Sequence, residues 1–183
     1  MSVIYAASSS SITFVVNYKA SGPVGLIFTY VQRRGFLSFD LSASGLTLPM
    51  ISSATLILNC TSLNGGGCTV SVHSAIDPDG WGAALTASNA DWKSTATKNE
   101  GTVDVFGTGL ISVPVDKTNI SYTGVTYYRL VNFNEGEAAP YNTGAIFSAR
   151  EEGLNSPVLQ LTTLAGQTEK ILTAQTFTEK TMA

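Results

Sequence analysis

Ala54-Thr55-Leu56-Ile57-Leu58-Asn59-Cys60 and Cys68-Thr69-Val70-Ser71-Val72, separated by Ser62-Leu63-Asn64-Gly65-Gly66-Gly67, decide the fold class of this 183-residue chain. In extended backbone, alternate side chains share a face, so positions 54, 56, 58 and 60 form one apolar stripe and positions 68, 70 and 72 another. The intervening glycines reach positive φ at little cost and let the chain reverse. The sequence therefore predicts an antiparallel hairpin, with Leu56, Leu58 and Cys60 against Val72, Val70 and Cys68. Both thiols face the core, either as two free buried cysteines in contact or as a cross-strand disulfide, which directly opposed strand positions form only with strain.

The rest of the chain reads in the same way. Short β-forming runs at 12–18, 25–31, 36–41, 102–106, 110–113, 125–131, 145–149 and 158–163 are divided by Gly, Asn, Pro and Ser, and 170–177 is a further run. No long segment has apolar residues at helical period; the best short-helix candidate is 88–94, capped by Ser88 or Asn89. About ten short strands with regular turn signals predict an all-β fold, a two-sheet antiparallel β-sandwich of jelly-roll type. Neither a repeat nor a low-complexity linker divides the chain, so one domain is expected over 1–164, with 1–29 an atypical opening and 165–183 a C-terminal arm.

Lys, Arg, Asp and Glu make up 13% of the residues and the net charge is −3, while Ser and Thr number 20 and 22. Uncharged polar groups thus cover most of the surface. With no basic field, neither nucleic acid nor an anionic membrane is an expected partner. No apolar run approaches the ~18–20 residues that cross a bilayer. The first residues, Met1-Ser2-Val3-Ile4-Tyr5, have no basic region followed by an apolar one, so no signal peptide is expected.

Signatures of catalysis are sparse. His73 is the single histidine and lies on the face opposite Val70 and Val72. Motifs for a nucleophilic serine, a zinc protease, a redox cysteine pair, a phosphate loop or a dinucleotide site are not found, so no enzyme and no cofactor are expected. Glycoside hydrolysis needs only two carboxylates about 5–10 Å apart, and Asp77, Asp79, Asp91, Asp104, Glu135, Glu137, Glu151 and Glu152 are available in number. Asp77 and Asp79, in Asp77-Pro78-Asp79-Gly80, are weak Ca²⁺ candidates, and the same tetrapeptide has the composition of a plain turn. Trp81, Trp92 and Tyr141 are candidates for stacking on sugar rings; the tryptophans read first as plugs of the sandwich ends, and Tyr141, between Pro140 and Asn142, is the better exposed candidate.

Arg34-Gly35-Phe36-Leu37-Ser38-Phe39-Asp40-Leu41-Ser42, then Ile51-Ser52-Ser53-Ala54-Thr55-Leu56-Ile57-Leu58, and finally Ser148-Ala149-Arg150-Glu151-Glu152 with Pro157-Val158-Leu159, form an ordered series. It resembles the DNRLRE-type β-sandwich domain over residues 30–163. The residues themselves have fold-level explanations: Leu37, Phe39 and Leu41 alternate inward, Ser38 faces the other way, and Asp40 is placed to accept N–H bonds from the turn at 42–45. The resemblance implies a non-catalytic extracellular or virion module, in some members similar to carbohydrate-binding modules.

Together these readings predict a structural protein of a virion, such as a bacteriophage capsid decoration, fibre or tail component, with a carbohydrate-binding adhesion module as the alternative. Its expected partners are other virion subunits, including copies of itself, and in the alternative a cell-surface glycan. Ile171, Leu172 and Phe177 are the expected assembly residues, because an exposed strand carrying them is an aggregation hazard unless a partner covers it.

Overall fold

The computed structural model describes residues 2–5, 8–9, 13–19, 30–32, 35–75, 98–133, 143–148 and 156–164. They build β1 (Ser2–Tyr5), β2 (Ser8–Ser9), β3 (Thr13–Lys19), β4 (Tyr30–Gln32), β5 (Gly35–Asp40), β6 (Ile51–Asn64), β7 (Cys68–Ala75), β8 (Lys98–Val105), β9 (Gly109–Val115), β10 (Val125–Asn132), β11 (Thr143–Phe147) and β12 (Val158–Thr163). Two antiparallel sheets result, and the expected β-sandwich is the fold. The larger sheet has the order β1-β12-β6-β11-β3-β4 with β9 also on β6; the smaller has the order β2-β5-β10-β7-β8. From β5 to β12 most connections pass from one sheet to the other, the jelly-roll habit.

Strand β6 is the spine. Residues 54–57 bond β12 on one flank and β9 on the other, and beyond them residues 60–64 take up β11. Its alternation sends Ala54, Leu56, Leu58 and Cys60 into the core, all buried. Facing them from the smaller sheet are Cys68, Val70 and Val72 of β7, Leu37 and Phe39 of β5, and Tyr128 and Leu130 of β10. Burying each such side chain contributes about 1.5–3 kcal/mol relative to leaving it in water. The rings of Phe39 and Tyr128 meet edge-on, centroids 6.1 Å apart.

The expected hairpin is not formed. β6 and β7 lie in different sheets, so their apolar stripes face each other across the core and share no ladder. The inward faces were set by each strand's own alternation, which does not depend on the partner. The connection decides the rest: Gly65, Gly66 and Gly67 have φ of 57°, 90° and 99°, a run of left-handed residues that lifts the chain out of the sheet as an arch. A two-residue hairpin turn would have kept both strands in one plane. Cys60 and Cys68 are both buried and are not joined by a disulfide, the first of the two alternatives.

Other boundaries move for local reasons. β8 begins at Lys98, ahead of the expected start, because it is an outer strand whose polar Lys98-Asn99-Glu100-Gly101 pairs on one side only. Phe106 falls in the β8–β9 turn, not in a strand. Asp40 Oδ1 accepts the Ser42 amide at 2.9 Å, as expected. Ser38 points away from the Leu37 and Phe39 side yet is buried, as are Phe36 and Arg129, so the smaller sheet is shielded on both faces there. His73, in the same outer row, is half-buried, 3.5 Å from the Arg129 guanidinium. The 88–94 helix candidate and the 170–177 strand lie outside the described residues.

Candidate functional site

Topology gives the sandwich two ends. β6 rises from Ile51 to Asn64, so Asn64–Gly67 cap one end, the arch end, and Ile51 marks the other. Trp81, Trp92, Tyr141, Asp77, Asp79, Ile171, Leu172 and Phe177 all lie outside the described residues. The residues at the roots of two of their connections are described. The connection carrying Asp77, Asp79, Trp81 and Trp92 joins β7 to β8 at the Ile51 end, where Ser74 pairs with Lys98. The connection carrying Tyr141 joins β10 to β11 at the arch end, where Gly144 pairs with Asn64. The three aromatic sugar-stacking candidates thus belong to connections rooted at opposite ends.

The Ile51 end is closed by a polar clasp that the sequence reading missed. Glu100, in β8 at the register shift between the Gly101–Val72 and Asn99–His73 pairs, accepts the Asp116 amide at 2.7 Å, the Asn119 side-chain amide at 2.7 Å and the Ser74 hydroxyl. Asp116 in turn caps the 3₁₀ turn Lys117–Asn119, its Oδ1 accepting the Thr118 amide and hydroxyl at 2.9 and 2.8 Å. Those bonds hold the Asp116 carboxyl below its ordinary value. The Lys117 ammonium donates to the Ile51 carbonyl at 2.5 Å, and the Tyr122 hydroxyl donates to the Lys117 carbonyl at 3.0 Å. Burial, then the charge of Asp116, pushes the Tyr122 phenol up to about 12. Tyr128, deeper still, buries a hydroxyl with no hydrogen-bond partner among the described residues, and burial followed by Glu100 raises it further.

Chemically this arrangement is a lock. Three donors converge on Glu100, and the two phenols hold their protons far above neutrality, so neither offers a base at neutral pH. Among the described residues no three His, Cys, Asp or Glu side chains are grouped to hold a metal. The only signal for Glu100 in the sequence was a lone carboxylate beside Gly101, which reads as a turn.

The apolar surface is distributed differently. Among the described residues the exposed large hydrophobic side chains are Leu48, Phe106, Leu110, Phe133 and Leu164. Phe106 follows Val105, the partner of Cys68, and the Phe133 amide bonds the Thr69 carbonyl, so both stand beside the start of β7 at the arch end. They are 65% and 61% exposed. Leu110 begins β9 on the same side of the molecule, opposite Asn59. Leu48 and Leu164 flank Met50 at the Ile51 end, where the Leu164 amide bonds the Met50 carbonyl. Phe106 and Phe133 follow runs whose sequence signal was that of a core strand, and only the register shows that they lie just past its end.

No family model matches the chain, and no curated protein matches its sequence.

Proposed function

We propose that this chain is a non-enzymatic structural subunit that assembles with copies of itself, of the kind that builds a virion exterior. One observation carries the reading: the large apolar side chains left exposed among the described residues sit at the ends of the sandwich, or beside one, where subunits stacked end to end would cover them. Two features support it. A surface rich in Ser and Thr and poor in charge gives little repulsion between identical copies. The outer strand β9 carries Pro114, which removes an amide from its open edge and discourages sideways sheet growth, leaving the ends as the preferred contacts. The ordered blocks at 34–42 and 51–58, which resemble the DNRLRE-type domain, agree with a non-catalytic role.

The test is the oligomeric state of the full chain by sedimentation and electron microscopy over a wide concentration range. Concentration-dependent assembly is expected, and Phe106→Ser with Phe133→Ser should weaken it while leaving the melting temperature of the dilute monomer nearly unchanged. A protein that stays monomeric throughout, and that binds a glycan in an array instead, would overturn the reading in favour of an adhesion module.

A further inference from the structure

The reading as a self-assembling subunit leaves open what covers the arch end, and chain geometry narrows the choice. Burial pushes the Cys68 thiol up while a bond from the Ala145 amide N–H pulls it the other way, and Ala145 is the ladder partner of Leu63. The start of β7 is therefore level with the last residues of β6. Phe133 and Phe106, beside that start, stand about twelve residues along the strand direction from Ile51, or roughly 40 Å at ~3.3 Å per residue. Leu164 is held at the far end by its bond to Met50. The next large apolar residues of the chain are Ile171 and Leu172, seven and eight residues on. Fully extended, that is about 23–26 Å, well short of the arch end of the same molecule. Phe177, thirteen residues on, spans the distance only at full stretch.

We infer that the segment after Leu164, through Ile171, Leu172 and Phe177, docks on the Phe106 and Phe133 end of a second copy, making a head-to-tail contact. This rests on the self-assembly reading and adds its occupant and its polarity. A neighbour stacked on the Ile51 end presents its arch end directly to this segment, so Ile171 and Leu172, which fall short of the Phe106 and Phe133 end of their own molecule, reach that of a neighbour. The segment also has the right chemistry: Ile171-Leu172-Thr173-Ala174-Gln175-Thr176-Phe177 is β-forming with no charge between 171 and 177, matching the exposed rings of Phe106 and Phe133. Leu48 and Leu164 beside its root extend the apolar contact on the donor side.

The experiment mixes two full-length variants, one carrying Leu172→Cys and the other Phe133→Cys, under mild oxidation; native Cys60 and Cys68 are buried and stay out of the exchange. A disulfide-linked dimer containing one of each variant is expected, well above the yield from either variant alone. The double variant should give a ladder of linked oligomers. Wild-type protein that assembles, combined with variants that assemble but give no mixed dimer, overturns the docking site and leaves the self-assembly reading standing. Wild-type protein that never assembles overturns both. A double variant that closes its disulfide within the monomer overturns the reach argument and with it the intermolecular assignment.

Discussion

Cys68 shows how one buried side chain couples the core to pH. Burial raises its thiol from an ordinary value near 9 to about 11, with the neighbouring Cys60 adding to the shift, and burial raises Cys60 as well. Above pH 9 the unfolded chain gives up these protons while the folded chain keeps them, so the folded state binds more protons and loses stability as pH rises. The loss starts near pH 9 and levels off past 11. Tyr122, raised to about 12, adds a second phase that begins only near its ordinary value of 10. Denaturation midpoints measured from pH 7 to 11 should therefore begin to fall near pH 9, and Cys60→Ala with Cys68→Ala should delay that fall by about a unit. Parallel pH profiles for the two proteins would remove the cysteines from the account. The parity of Cys60 and Cys68 in their strands was readable from sequence, because alternation is a local property. The clasp on Glu100 was not, because Ser74, Asp116 and Asn119 reach it from segments that only the fold brings together.

The arch between β6 and β7 is the element on which the sequence reading and the structure part. Three glycines after an apolar strand signal a reversal, but reversal within a sheet and crossover between sheets use the same residues. What separates them here is a distant contact: a Cβ on Gly67 would lie 2.0 Å from the Val105 carbonyl oxygen, so the arch is pressed against the end of β8. Gly66 has an equally left-handed φ, with open space where its Cβ would be. Gly66→Ala should accordingly cost only the backbone strain, about 1 kcal/mol, whereas Gly67→Ala adds a clash with backbone that has no easy retreat and should cost several kcal/mol. Chemical denaturation of the two variants side by side reads the difference, and equal midpoints would mean that the arch is not seated on β8. Strands that carry a core-facing apolar alternation, such as β5, β10 and β12, were legible nearly to the residue. Lys98–Gly101 of β8 was not, because an outer strand satisfies half its amides in water and needs no apolar alternation.

At the scale of the whole molecule, the two ends differ: one displays Phe106 and Phe133, and the other Leu48 and Leu164. A contact between unlike ends is heterologous, and it either closes as a ring or grows as a filament, whereas a contact between like ends stops at a dimer. The polarity has a kinetic signature. Phe106→Asp with Phe133→Asp disables the accepting end and leaves the donating segment intact, so such a molecule can join a growing assembly but offers no site for the next. Mixed at one part in ten with wild-type protein, it should limit filaments to about ten copies on average, far below what dilution by a tenth would do. If like ends met, the variant would find no partner and remain inert, and the size distribution by light scattering would follow the wild-type concentration alone. The contact is apolar and the chain is weakly charged, so the same assembly should change little between low and moderate NaCl and should loosen on cooling. Assembly that dissolves with salt and tightens in the cold would point to a charged interface and overturn the apolar contact.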